Sequence, residues 1–231
     1  MNAAALTPRL HLWGRLSSIN LRKVVWALQE IGVPFTRTDA GLAYGVVNDA
    51  AYAAQNPNRL VPLLQDGDYT LWESNVIVRY LCARYGGRAP AQGAGLAGGG
   101  PGALEALYPE DLQRRFDAER WMDWQQTTLN PAGSPAFKQL FRTPPEQRQP
   151  ALIEASRAAM APLIDLLNTH LATRTWLLGQ HFTMADIPVA CDVHRWWGLP
   201  LPTPHAPHVQ RWLNAILARP ATRGVLDLPL S

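Results

Sequence analysis

The chain changes character once, and sharply. Residues 86–103 read GGRAPAQGAGLAGGGPGA and hold eight of the 17 glycines in the chain. Such a run is too permissive in backbone and too poor in apolar side chains to continue a helix or a strand. On its N-terminal side, short β-prone runs alternate with helical ones. On its C-terminal side, every strong pattern is helical. The chain is therefore expected to build two units, 1–87 and 108–231, joined by a Gly/Ala-rich linker or insert at 88–107.

In the first unit, LHLW at 10–13 reads as a strand and 19–31 as a helix, which Gly32 ends and Pro34 prevents from continuing. PFTRTDAG is a second strand candidate, and 49–55 is a short helix stopped by the turn signal NPNR. VPLLQDGDYTLWES then carries two β-prone runs about Asp66-Gly67, a hairpin signal, and Ser74 leads a helix through Tyr85. The order β-α-β-α-β-β-α predicts an α+β unit with a mixed four-stranded sheet. In the second unit, Leu112, Phe116, Trp121 and Trp124 recur at helical spacing. APLIDLLNTHLA and VQRWLNAILARP are further amphipathic helices, so an all-α unit is predicted.

Composition removes several function classes. Hydrophobic residues make up 47% and charged residues 17% of the 231, the balance of a globular chain. The net charge is only +3 and the basic residues are scattered, which argues against a nucleic-acid partner. No apolar run is long enough to span a bilayer, and the N-terminus lacks a signal-peptide pattern. Cys82 and Cys191 lie far apart and imply no disulfide framework, so a cytoplasmic protein is expected. Nine tryptophans point to large aromatic surfaces, in the core or around an apolar ligand pocket.

Three short constellations can carry chemistry. Ser17, Ser18 and Asn20 sit where the first strand hands over to a helix. A serine there normally caps the helix, yet its hydroxyl can also donate to an anion held at the positive helix end, a thiolate included. No neighbouring residue makes either serine a triad-type nucleophile, so a donor role fits better than covalent catalysis. Val61-Pro62 places a proline in an apparent strand, which marks an edge or a special turn. Val61 then keeps its N–H and C=O for an extended peptide-like ligand. Glu73-Ser74 starts the next helix as a plain cap, or as a pair that takes an ammonium and a carboxylate.

Other motifs read as structure. Thr183 and Asp186 have capping-box spacing, with Phe182 and Ile187 as the hydrophobic staple, a folding device without catalytic content. Cys191 and His194 share a helix face, but no further ligands stand at suitable spacing, and no metal site is expected. Trp121 and Trp124 share a face as well. Core packing is the default for such a pair, and lining an apolar pocket is the second reading.

Taken together, the β-α-β-α-β-β-α order, Val-Pro before the hairpin and Glu-Ser after it resemble the thioredoxin-like domain of glutathione transferases. NPNRLVPLLQDGDYTLWESNVIVRYLCARYG is the most specific stretch, and RWMDW and GQHFTMADIPVA resemble the helical domain of that family. The likeness covers about 10–87 and 108–231, and its pattern is nearest to bacterial serine-type soluble members. It implies glutathione as co-substrate, with no metal. The glutathione cysteine would pair with the Val61 backbone beside Pro62, and its γ-glutamyl end would rest on Glu73 and Ser74. In serine-type members the activating serine stands five residues before a basic helix residue. Lys23 therefore selects Ser18, followed by Asn20 and then Ser17.

The resemblance further implies a small, apolar electrophile in a pocket of the helical domain, for which Trp121 and Trp124 are candidates, and a homodimer. Conjugation, dehalogenation and thiol-dependent reduction all suit such a site. The alternative is a non-catalytic ligand-binding or interaction protein on the same fold. Two departures stand out: Arg59 replaces a frequent glycine, and the Gly-rich insert is longer than the usual linker.

Overall fold

A computed structural model describes residues 9–86 and 107–230. The first part follows the expected order: β1 (Leu10–Trp13), α1 (Ile19–Ile31), β2 (Phe35–Thr38), α2 (Ala50–Gln55), β3 (Leu63–Asp66), β4 (Tyr69–Trp72) and α3 (Ser74–Tyr85). The strands lie in the order β2-β1-β3-β4, with β1 parallel to β2 and antiparallel to β3, and β3 antiparallel to β4. Gly32 ends α1 in the left-handed conformation (φ 73°), its N–H bonded to Leu28 O. The hairpin loop is Gly67-Asp68, with Gly67 at φ 63°. Asp66 is thus the last residue of β3 and accepts from Tyr80 (2.7 Å) and Tyr85 (2.5 Å) of α3.

The register decides where function can lie. Trp13 pairs with Thr38 on one side and Leu63 on the other, and Leu63 pairs with Trp72. These four residues form one row across an end of the sheet. The segments beyond that row therefore leave from the same end: the loop 14–18, the loop after Thr38, Val61-Pro62 and Glu73-Ser74. Burying Leu10, Leu12 and Leu64 against Leu21, Val24, Leu28, Ile77, Val78 and Leu81 fixes the face on which α1 and α3 lie.

The rest of the described chain is helical: α4 (Leu112–Trp124), a π turn (Gln125–Leu129), α5 (Asn130–Phe141), α6 (Pro150–Leu171), α7 (Asp186–Trp197) and α8 (Pro207–Leu217). The expected linker, 88–107, lies outside the described residues except for Leu107. That residue is buried and accepts from the Met184 N–H at 2.9 Å. Leu112 and Phe116 have the helical spacing read from sequence but are exposed, each at 60%. Periodicity marked an apolar face there; the described residues do not cover it.

α1 is the central helix. It packs against α3 on one side and α7 on the other, so even its charged residues are buried. Each must then find partners. Glu30 accepts two bonds from Arg219, both at 2.7 Å, and one from Trp26 Nε1. Arg22 donates to Leu16 O and to Pro229 O near the C-terminus. Lys23, fully buried, has only amide oxygens: Gln125 Oε1 at 3.0 Å and Gln126 Oε1 at 3.3 Å. Gln125 Oε1 also accepts from Asn75 Nδ2 (2.9 Å), and Gln125 Nε2 donates to Asp192, which is paired with Arg195. One buried polar chain thus joins α1, α3, the π turn and α7.

Asp186 fills the expected capping role and more. Its carboxylate accepts from the Thr183 N–H (2.9 Å), the Leu177 N–H (3.0 Å), Trp212 Nε1 (2.9 Å) and the Thr183 hydroxyl (3.3 Å). Burial pushes its pKa up to about 6, against those four donors. α7 begins at Asp186, so Pro188 falls within its first turn, where a missing N–H breaks no helical bond.

Two outcomes follow from these groups. Asp186→Ala strands three buried N–H donors and should cost about 3 kcal/mol in denaturant unfolding. Burial, the largest effect on Lys23, pulls its pKa down from 10.5 to about 8; Asp192, Cys191 and Glu73 act the other way, and Arg195 adds to the drop. Between about pH 8 and 10.5 the folded chain has released this proton and the unfolded chain has not. Stability from Lys23 should therefore rise over that window, by at most about 3 kcal/mol. Unfolding curves of wild type and Lys23→Met across those pH values should differ in slope, with the rise missing in the variant.

Candidate active site

Four chain segments meet at the row of Thr38, Trp13, Leu63 and Trp72. The loop after β1 begins at Gly14 (φ 149°), where a Cβ would come within 2.7 Å of Leu21 Cδ1, so only glycine lets the loop fold back onto α1. At its end Ser18 is the N-cap of α1, with extended backbone (φ −88°, ψ 121°). Its carbonyl accepts the first helical bond, from Arg22 N–H at 3.0 Å. Its hydroxyl makes no capping bond. The backbone of Ser18 caps; its side chain is left for another partner.

Asn20 is the second residue of α1, with its Oδ1 buried and in no hydrogen bond. A half-turn of the amide presents Nδ2 in its place, so this residue can offer either a donor or an acceptor. Such an orphaned buried polar atom fits a ligand that supplies the missing partner. The Ser17 carbonyl accepts from the Arg142 guanidinium at 3.3 Å, and the Ser17 residue lines a cleft together with Ile19, Phe137, His194 and Leu230. Burial, with the charge of Arg22 beside it, lowers the His194 pKa and favours the neutral imidazole.

Across the sheet end, the Val61-Pro62 peptide bond is cis. Two side chains hold the preceding turn by its Leu60 carbonyl: Tyr52 OH at 2.6 Å and Asn56 Nδ2 at 2.8 Å. Arg59 adopts φ 52°, the left-handed region in which glycine is least strained. No hydrogen bond among the described residues engages the Val61 N–H or C=O. Both remain able to pair with an extended peptide.

Glu73 and Ser74 follow β4 directly. Glu73, at φ 71°, is an exposed non-glycine residue in the left-handed region, and its carbonyl receives the Ile77 N–H at 2.9 Å. Ser74 is the first residue of α3 and is buried, with the free N–H groups of the helix start around it. The adjoining Asn75 is held from below by Met122 O (2.7 Å) and Gln125. Carboxylate, hydroxyl and helix N-terminus stand together there, as a zwitterionic amino-acid end requires.

Trp121 and Trp124 are placed elsewhere. Trp121 is buried, edge-on to Trp124 with ring centres 5.1 Å apart, and 4.6 Å from the His170 ring of α6. Trp121 belongs to the core, and Trp124, partly buried, packs against it. The aromatic beside Ser17 is instead Phe137 of α5, stacked on Phe141 at 5.5 Å. Sequence reading missed Phe137, and it missed Arg142 and Gln125 as well. Their only signal was a place on or just beyond helices with no readable facing partner. Among the described residues, no group of three His, Cys, Asp or Glu is placed to hold a metal ion, and Cys82 and Cys191 are free and buried.

Comparison with known proteins gives the same picture over the whole chain. The family pattern described as "Glutathione S-transferase, N-terminal domain" matches residues 8–83, and that described as "Glutathione S-transferase, C-terminal domain" matches residues 150–215. Glutathione S-transferase GstB of Escherichia coli is 39% identical over 222 residues, covering 95% of this chain and 99% of that one. Glutathione S-transferase 3 of Zea mays is 31% identical, covering 96% and 95%. Among solved structures, the theta class glutathione S-transferase of Xanthomonas axonopodis pv. citri with glutathione bound superposes with a TM-score of 0.86 at 36% identity. The alignment covers 97% of this chain and all of that one. On the sheet order, the arrangement at its end and these likenesses, the chain belongs to the glutathione S-transferase family.

Proposed function

We propose that this glutathione transferase holds the glutathione thiolate on the Ser18 hydroxyl, with the Asn20 amide as second donor and the N-terminus of α1 behind both. The observation that carries this reading is a cap residue whose hydroxyl caps nothing, beside an Asn20 amide that is bound to no other side chain among the described residues and can turn its Nδ2 toward an anion. A hydroxyl donor held at a helix N-terminus stabilises an anion and lowers the thiol pKa. Ser17 ranks third, because its carbonyl is tied to Arg142 and it stands before the N-cap, outside the helix.

Glutathione would lie extended along the sheet end. Its cysteine would pair with the Val61 backbone beside Pro62, and its γ-glutamyl ammonium would rest near Glu73. The γ-glutamyl carboxylate would take Ser74 and the N–H groups of α3. The thiolate then points to the cleft of Ile19 and Phe137, where an electrophile with an apolar body fits. Attack on carbon by the thiolate gives conjugation or dehalogenation; attack on sulfur or oxygen gives reduction. No described helix is long and apolar enough to cross a membrane. Two free buried cysteines suit the cytoplasm, where glutathione keeps thiols reduced.

A homodimer would cover the bare apolar face. Val76 of α3 and Leu112 and Phe116 of α4 are exposed. Arg79, one turn from Val76, reaches the Glu119 carbonyl and Asp123 of α4, so these helices run side by side. Light scattering should find wild type dimeric and Phe116→Asp shifted toward monomer.

Steady-state kinetics tests the catalytic reading. With an aryl halide, an alkyl halide and a disulfide as electrophiles, wild type should turn over at least one class. Ser18→Ala should lose about 100-fold in kcat, the usual loss for one anion-stabilising donor, with little change in KM for glutathione. Glu73→Ala should raise that KM instead. Tight glutathione binding with no turnover in any class would favour the ligand-binding alternative.

A further inference from the structure

The loop between β1 and α1 carries a cation that no carboxylate answers. Arg15 makes no ion pair among the described residues, and its Nε is cut off from water without a hydrogen-bond partner. Asp39, on the loop leaving β2, is held by Arg37 at 2.5 Å. The guanidinium of Arg15 lies over Gly41. A Cβ at that glycine would come within 2.6 Å of Arg15 Nη1 and 3.4 Å of a Val61 methyl. Glycine at 41 (φ 81°) therefore keeps open the space that the arginine head occupies, directly beside Val61.

A second guanidinium faces the same loop. Arg142, just past the end of α5, donates to Ser17 O at 3.3 Å and sits over the Phe137 ring, 5.6 Å from its centre. Burial and then the charge of Arg142 both work against the charge of Arg15, with only Tyr44 acting the other way. An arginine does not shed its proton to relieve this. An anion between the two relieves it directly, and the planar fork of Arg15 matches a carboxylate.

We propose that Arg15, with Arg142 at its edge, forms a carboxylate-binding subsite that selects second substrates bearing a carboxylate next to the electrophilic carbon. This rests on the transferase reading above. The glycyl end of glutathione offers the same chemistry from another source. The second substrate is favoured because Arg142 belongs to the helical unit and Phe137 beneath it lines the cleft with Ser17 and Ile19. For an α-halocarboxylate, the thiolate sulfur attacks the methylene carbon. A C–S bond forms, the C–halogen bond breaks, and halide leaves with the electron pair. Arg15 holds the carboxylate throughout and so places that carbon.

Iodoacetate and iodoacetamide share carbon and leaving group and differ in charge, so their kcat/KM ratio, read by iodide release at saturating glutathione, isolates the subsite. Wild type should favour iodoacetate more than free glutathione does. Arg15→Gln should lower the ratio about tenfold to a hundredfold, the range for one charge-assisted fork, and Arg15→Lys should restore part of it. In unmutated protein, added sodium chloride should weaken iodoacetate turnover more than iodoacetamide turnover. A ratio moved by neither salt nor substitution overturns the proposal. So does a rise in KM for glutathione in Arg15→Gln at constant ratio, which would assign the subsite to the glycyl carboxylate. Failure of wild type to turn over either compound overturns the proposal, and only failure with the aryl halide and the disulfide as well overturns the transferase reading itself, a distinct result.

Discussion

Leu63 pairs with Trp13 on one side and Trp72 on the other, and Trp13 pairs with Thr38. Everything functional in this protein depends on that row. Strand register is set by which side chains the sheet must bury, here Leu10, Leu12 and Leu64 against α1 and α3. A slip of one residue would turn those leucines to the wrong face. It would also separate the Ser18 loop from Val61 and Glu73. The hydrophobic core and the ligand site are thus consequences of the same alignment, and the site needs no separate scaffold.

The second constraint is the burial of α1 on both sides. A helix that carries Ser18 and Asn20 at its start must not shift when an anion binds there. Its charged residues reach outward and tie it in place: Arg22 to Pro229 near the C-terminus, Glu30 to Arg219, and Lys23 to Gln125. Burying an ammonium against amide oxygens alone is costly. Through Gln125 and Asn75, however, it links α1 to the residue next to Ser74. The two ends of the proposed glutathione site are held by one polar chain. That cost falls on stability, and the gain is a rigid anion site.

Much of this was legible in the sequence, for local reasons. Gly32, the NPNR turn, the Asp-Gly dipeptide and the Thr183–Asp186 box all act within a few residues, and the elements they bound appear where expected. The hairpin differs by a register detail: Asp66 belongs to β3, paired with Leu10 and Tyr69, and α3 tyrosines hold its carboxylate. Ser18, Asn20, Val61, Glu73 and Ser74 were legible as a pattern, and the strand row places their segments at one end of the sheet. What could not be read depends on distant neighbours. Nothing near Lys23 announces Gln125, about a hundred residues on, and nothing near Ser17 announces Arg142. Trp121 and Trp124 share a face by spacing, yet only the position of His170 shows what that face meets. Leu112 and Phe116 show the converse: periodicity identifies an apolar face, not what covers it.

The central claim is that the start of α1 holds a thiolate rather than merely being capped. Ultraviolet difference absorbance of bound glutathione across pH reads the thiolate directly, before any second substrate enters. Wild type is expected to hold thiolate at neutral pH, and Ser18→Ala to bind glutathione while its thiolate signal moves to higher pH, toward that of the free tripeptide. An unmoved thiolate signal in Ser18→Ala, with binding intact, would contradict the assignment and return Ser18 to the role of a cap.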